Sequence, residues 1–249
     1  MLELNRISAG YGKQTVLDGI SVDFEKGKLT SIIGVNGCGK STLLKAILGI
    51  LSLSNGEIFI DGENLLTISR NEIAKKIAYL SQGKNIPDMT VEQMVLHGRF
   101  PYLSYPRRYS SHDREVAIKA MEIVGIAEFA HKPLYSLSGG MRQNAYIAMA
   151  LAQDTDYILL DEPTTYLDIA HQLELMRILR KLADSGKGIV TVMHNLPIAF
   201  DFSDKLTVMS NGKIIAYGTP SEICESHIVE YIFGVKIKQV QKGKYLYEY

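Results

Sequence analysis

The feature that most constrains this chain is an octapeptide, Gly34-Val35-Asn36-Gly37-Cys38-Gly39-Lys40-Ser41, set between a compact β-type run at residues 28–33 and a helical pattern. In that pattern Leu43, Leu44, Ile47, Leu48 and Leu51 recur with the period of one helix face. Glycines at these positions let backbone N–H groups close around an anion, and the following helix adds its positive N-terminal end. Lys40 is then placed to reach the β- and γ-phosphates of a nucleotide, and Ser41 to ligate Mg²⁺. Strand, glycine loop and helix in this order make a P-loop and predict an α/β core.

The rest of the chain fits such a core. Leu2, Leu4 and Ile7, then residues 16–24, alternate as strands, and residues 56–61 and 77–81 are short strands. From about Pro87 the pattern turns helical. Thr90 can cap a helix through Gly98, Ser110 or Ser111 one through Val124, with a short helix near Ala127. After Ser138 a helix runs to about Gln153. Residues 157–160 and 188–193 are strands flanking an amphipathic helix at 168–183. Asn211-Gly212 marks a two-residue hairpin, and two short helices and a second hairpin around Lys242-Gly243 close the chain.

Composition excludes several classes. Lys+Arg and Asp+Glu both number 27, and this zero net charge argues against a nucleic-acid partner. The two cysteines, Cys38 and Cys224, have no metal or disulfide spacing. Glu3, Asn5 and Arg6 interrupt any signal peptide, and no apolar run reaches the ~20 residues that span a bilayer. A membrane role is therefore expected to come through a partner.

Two further motifs carry chemistry. Tyr157-Ile158-Leu159-Leu160-Asp161-Glu162 is an apolar run closing on two carboxylates. A buried strand would deliver both to the carboxyl edge of a parallel sheet, where Asp161 can hold Mg²⁺ and Glu162 can orient or deprotonate a water. Taken alone, the run also reads as a strand tipped with solvated acids. In Leu137-Ser138-Gly139-Gly140-Met141-Arg142-Gln143, Ser138 reads as a helix N-cap and the glycines leave N–H groups open. Taken alone this is an ordinary helix cap, but it is a second anion site in a chain with one triphosphate to bind.

This order of motifs, followed by a histidine after an apolar strand, resembles the ABC-transporter ATPases over residues 2–220. The resemblance implies an α/β, P-loop NTPase (RecA-like) core with an antiparallel β subdomain and an inserted α-helical subdomain. It divides a single domain into core and β subdomain (1–86 and 157–220), helical subdomain with the signature motif (87–156), and C-terminal helices and hairpin (221–249). In that family two copies pair head to tail, so the signature helix of one closes over ATP on the P-loop of the other. ATP and Mg²⁺ are the implied cofactors. Gly34, Asn36, Gly37, Cys38, Gly39, Lys40, Ser41 and Thr42 would bind nucleotide, joined across the pair by Ser138, Gly139, Gly140 and the dimer-contact Asp168. Tyr11 resembles the aromatic that stacks on adenine, Gln82 the glutamine that meets Mg²⁺ and water, and His194 the histidine that holds the γ-phosphate. Each has a plainer reading: Tyr11 as a surface aromatic, Gln82 as a loop residue and His194 as a structural histidine, while Asp168 can also serve as a helix cap. Catalysis would rest on Glu162, His194, Gln82 and Lys40, and Mg²⁺ on Ser41, Gln82 and Asp161.

Met141, Asn144 and Asn195 depart from the family's usual Gln, basic residue and Asp, without removing a phosphate ligand. Residues 96–102 (Leu-His-Gly-Arg-Phe-Pro-Tyr) and 160–172 resemble the importers of iron–siderophores, haem and cobalamin. That likeness implies permease subunits, an external solute-binding protein and a place on the cytoplasmic face of the membrane. The cargo expected is iron–siderophore, with haem or cobalamin, or a soluble non-transport ABC ATPase, as alternatives. Motion is expected to pass to the permease near Gln82 and residues 83–106, with Arg99 at the docking surface. Cys38, beside a helix N-terminus and Lys40, is expected to have a lowered pKa, the alternative being an inward-packed thiol.

Overall fold

Burial explains which strands alternate and which do not. The computed structural model describes residues 1–82, 86–165, 167–241 and 243–248. In β1 (Leu2–Tyr11) the buried side chains are Leu2, Leu4, Ile7 and Ala9, and in β2 (Gln14–Phe24) Leu17, Ile20, Val22 and Phe24. One face of each meets a core and the other meets water. By contrast β3 (Leu29–Gly34) is buried at every residue and leads through the glycine loop into α1 (Lys40–Ile47). Strands covered on both faces lose their alternation. The helix is shorter than the apolar pattern through Leu51 predicts: Leu48 is its C-cap and Gly49 turns the chain with φ of 64°.

Next come β4 (Leu53–Ile60), β5 (Glu63–Asn64), α2 (Arg70–Lys76) and β6 (Ile77–Leu80). The second helix gives little signal in the sequence because it buries only Ile73; its start is marked by Ser69, whose hydroxyl accepts from Glu72 N. Then α3 (Val91–Leu96) and α4 (Ser111–Ile123) begin at Thr90 and Ser110, each a reciprocal capping box. The first of these stops at Leu96 rather than Gly98 and tightens into a 3₁₀ turn, His97–Tyr102. After α5 (Gly139–Ala152) the chain resumes its β/α rhythm with β7 (Tyr157–Asp161), α6 (Ile169–Asp184) and β8 (Gly188–Val192). A short helix unforeseen from the sequence follows, α7 (Leu196–Phe202), capped by Asn195. The hairpin β9 (Lys205–Ser210) and β10 (Lys213–Gly218) turns at Asn211 and Gly212. The chain closes with α8 (Pro220–Glu225), α9 (Ile228–Phe233) and the hairpin β11 (Lys236–Gln241) and β12 (Lys244–Glu248).

The strands form a central sheet ordered β10-β9-β3-β8-β7-β6 and a front sheet ordered β2-β1-β4-β5. From β9 to β6 the central sheet is parallel; β10 joins antiparallel at its edge. Leu43, Leu44 and Ile47 of α1 pack between its Ile32, Leu159 and Val190 and the front sheet. On the other face Leu29, Ile33, Ile158 and Ile189 meet Leu175, Met176 and Leu179 of α6 and Ala199 and Phe200 of α7, in a core that extends to α3, α4 and α5. Among the described residues no helix is long and apolar enough to cross a membrane.

The structure corrects one expectation here. Arg99 is 5 % exposed and does not present its charge to a partner. Its Nε donates to Asp113 Oδ1 at 2.9 Å and its Nη1 to the Ala152 carbonyl at 2.9 Å, while the Tyr102 ring lies 4.1 Å from the guanidinium. Gly98 also lies against the Met149 carbonyl, so the turn after α3 is fastened to α5. Burial works against the Asp113 carboxylate, but hydrogen bonds from Ser110 and Arg99 outweigh it and hold its pKa down at about 2. Sequence spacing alone could not show that this arginine faces inward.

Candidate active site

Four strand ends meet at one edge of the central sheet. The neighbours β3, β8, β7 and β6 are parallel, so their carboxyl ends release the P-loop, His194, Asp161 with Glu162, and Gln82 on the same side. The resulting cleft is walled by Val16, Asn36, Gly37, Gly39, Lys40, Ser41, Thr42, Gln82, Glu162 and His194. In the loop, Gly37 and Gly39 hold φ of 78° and 106°, which glycine adopts without strain. Lys40 is buried, and its Nζ donates to the carbonyls of Gly34 at 2.8 Å and Val35 at 3.0 Å.

Glu162 is gripped from three sides. Its Oε1 lies 2.5 Å from His194 Nε2, and its Oε2 accepts from Gln82 Nε2 and, at 3.1 Å, from Thr165 Oγ1. Its backbone has φ of 52°, a left-handed conformation uncommon outside glycine and a strain that fixed neighbours sustain. Asp161 accepts from Ser41 Oγ at 3.0 Å, with Tyr79 OH at 3.5 Å from its other oxygen. Burial pushes the Asp161 carboxyl up, the Ser41 hydrogen bond offsets part of this, and the Glu162 charge adds to it. The Ser41 hydroxyl and Asp161 carboxylate, with the Gln82 amide nearby, form a small set of hard oxygen donors. Among the described residues no cluster of three His, Cys, Asp or Glu could hold a metal. A short donor set suits Mg²⁺, which keeps waters and substrate phosphates around one or two protein ligands.

The remaining expected residues lie elsewhere. Tyr11 ends β1, half exposed, opposite Gln14. Gly34 contributes a carbonyl to Lys40 and does not wall the cleft. Ser138, Gly139 and Gly140 are also absent from its walls. Ser138 is the N-cap of α5, its Oγ accepting from Met141 N at 3.3 Å, and Gly139 opens on a second groove shared with Gln82, Ile86, Arg142, Gln143 and Glu162. Of the expected coupling segment, residues 83–85 lie outside the described residues. Asp168 caps α6 through His171 N, and Tyr166, quoted beside it in the sequence motif, also lies outside the described residues.

Cys38 requires a correction. It is 3 % exposed, and burial pushes its thiol up; Lys40, whose Nζ lies 4.0 Å from the sulfur, pulls the other way and loses. The inward-packed alternative is the observed one, and any part Cys38 takes in binding must come from its backbone. The three departures from the family pattern have local work. Asn144 Nδ2 donates to the Val124 carbonyl at 3.0 Å, Asn195 caps α7, and Met141 packs against the core. Sequence reading missed Val16, Tyr79 and Thr165 at this site. Only Thr165 carried a signal, three residues beyond Glu162; the other two arrive by topology.

Comparison with known proteins follows the same lines. The profile of the ABC transporter family matches residues 17–165. The chain is 40% identical over 237 residues to the petrobactin import ATP-binding protein FpuD of Bacillus anthracis, covering 94% of this chain and 87% of that one. It is 40% identical over 233 residues to the ferric enterobactin transport ATP-binding protein FepC of Escherichia coli, covering 93% and 86%. Among solved structures, a metal-chelate type ABC transporter in an inward-facing conformation superposes with a TM-score of 0.85 at 27% identity, covering 100% of this chain and 97% of that one. A dimeric bacterial ABC transporter cassette superposes with a TM-score of 0.76 at 27% identity, covering 88% and 99%.

Proposed function

This chain belongs to the ABC transporter family, and from that premise we propose that it is the ATP-binding and ATP-hydrolysing subunit of an importer that takes up a ferric siderophore. The observation that carries the reading is the grip on Glu162 at the mouth of the P-loop cleft, where His194 and Gln82 reach it from two other strand ends. The cargo rests on the two relatives, whose names specify petrobactin import and ferric enterobactin transport.

In this reading Tyr11 stacks on adenine. Backbone N–H groups of residues 36–42 surround the phosphates, and Lys40 exchanges the loop carbonyls it now holds for β- and γ-phosphate oxygens. Ser41, Asp161 and Gln82 would hold Mg²⁺, which when bound would offset the negative charge of the phosphates. Glu162 takes the proton of the attacking water, Gln82 orients that water, and His194 holds the γ-phosphate. Ser138 and Gly140 line neither the P-loop cleft nor the neighbouring groove, and Gly139 lines only that groove, which supports their use by a second copy. Two copies then enclose two ATP molecules, with Asp168 at their contact. The pair sits on the cytoplasmic face of the membrane under permease subunits fed by an external solute-binding protein. Residues 87–156 act as a helical unit that passes motion to the permease, and 221–249 as a C-terminal appendage to the core.

The test is reconstitution with permease and solute-binding protein in proteoliposomes. Ferric siderophore should stimulate ATP hydrolysis and enter the vesicles. Stimulation by haem or cobalamin instead reassigns the cargo, and the absence of any permease complex supports a soluble ABC ATPase.

A further inference from the structure

His171 joins two parts of the molecule that the proposed reading sends to the partner's ATP. Its backbone N–H donates to Asp168 Oδ1 at 2.9 Å, and its Nδ1 lies 2.9 Å from both Asp168 oxygens. A carboxylate only accepts, so Nδ1 carries the proton. The ring's opposite edge lies against the first turn of α5: a Cβ added to Gly140 would stand 2.5 Å from Cδ2 and 2.9 Å from Nε2 of His171. Gly140 has an ordinary helical backbone, so it is this close approach, not its φ, that a larger side chain would disturb, by displacing the ring. Gln172 Nε2 donates to the Leu167 carbonyl at 2.8 Å, which holds the end of the loop before Asp168 to the start of α6. The imidazole thus fills the space between the Asp168 carboxylate and the signature turn.

We propose that His171 is a positioning residue that fixes the distance between Asp168 and the signature turn, so that both meet the partner chain's bound ATP as one preformed surface. The proposal rests on the shared-site reading above. It predicts that loss of the imidazole weakens ATP-driven pairing while each chain's own P-loop binds nucleotide as before. The ring is 44 % exposed, so its removal takes little packing from the core.

The experiment uses the full chain carrying Glu162→Gln, so that ATP accumulates unhydrolysed, with Mg-ATP as the probe and light-scattering chromatography as the readout. Adding His171→Ala should raise the ATP concentration for half-maximal dimer roughly tenfold, the coupling expected of groups in contact. Nucleotide affinity of the monomer and thermal midpoint should stay unchanged. His171→Asn, whose amide can still donate to Asp168, should recover much of the loss. With an intact Glu162, His171→Ala should raise KM more than it lowers kcat. Gly140→Ala should displace the ring and cost more in the His171 chain than in the His171→Ala chain. The proposal is overturned if His171→Ala dimerises like its parent, or if Gly140→Ala costs the same in both chains. A Glu162→Gln chain that forms no ATP-dependent dimer removes the shared-site reading and this inference with it.

Discussion

The P-loop and the signature turn are both glycine-rich starts of helices, yet the chain furnishes them very differently. Around the P-loop, Lys40, Ser41, Gln82, Asp161, Glu162 and His194 converge from four strand ends and already touch one another or the loop carbonyls. Around the signature turn, Ser138 spends its hydroxyl on capping α5, and the His171 ring, bonded to Asp168, lies against Gly140. The first region has the parts for chemistry on a triphosphate; the second has an anion-attracting helix start and a braced edge. The difference is what a site completed by two copies requires, because neither region does the other's work within one chain.

Removing the acid from the first region should have the largest effect. Glu162→Gln keeps the side chain's shape but cannot take a proton, so turnover should fall by roughly 10²–10⁴-fold while ATP binding persists, checked by phosphate release beside a nucleotide titration. Equal loss of both would make Glu162 a structural anchor for Gln82 and His194.

Next in size is a change that belongs to neither region. Arg99→Glu places a second carboxylate beside buried Asp113 and should cost about 3–5 kcal/mol of stability, the loss usual for breaking a buried pair, measured by urea unfolding. A soluble, stable variant that only fails to bind permease would restore Arg99 to the docking surface. The pair also has a pH signature. The Asp113 pKa is held below its ordinary 3.8, at about 2, so its contribution is full above pH 4 and is lost as pH falls through about 2. Acid unfolding of the Asp113→Asn chain should lack this component.

Lys40→Ala tests the binding half of the P-loop. The loss of charge-assisted hydrogen bonds to phosphate should weaken ATP binding by roughly 10–100-fold, read by titration. Affinity near that of the unaltered chain would contradict the assignment. The smallest effect expected is at Cys38. Because the thiol is buried and its pKa raised, maleimide should leave the folded chain's Cys38 unlabelled and its ATPase activity intact, with any label on Cys224. Rapid labelling of Cys38, prevented by ATP, would show that the loop opens.

The two regions were also unequally legible in the sequence. Local chemistry showed through: the P-loop glycines, the acids ending an apolar run, the caps at Thr90, Ser110 and Ser138, and the hairpin at Asn211 and Gly212 all act over a few residues. Elements with little buried surface did not, as with α2, whose only buried residue is Ile73. Long-range placement was hidden as well. Nothing in the order of residues shows that Arg99 turns inward to Asp113, that Cys38 packs beneath its own loop, that Tyr79 reaches Asp161 from the neighbouring strand, or that the His171 ring lies against Gly140. Each depends on which strands and helices become neighbours, and the parallel order β3-β8-β7-β6 is set by the whole chain.

The central claim is that the signature turn serves the ATP site of a second copy. The direct measurement is the mass of the Glu162→Gln chain by light scattering, with and without Mg-ATP, alone and combined with Ser138→Arg. The account predicts monomer without ATP, dimer with it, and monomer in both conditions once an arginine side chain fills the start of α5, while nucleotide still binds each separate chain. A dimer that forms without ATP and survives Ser138→Arg would contradict it.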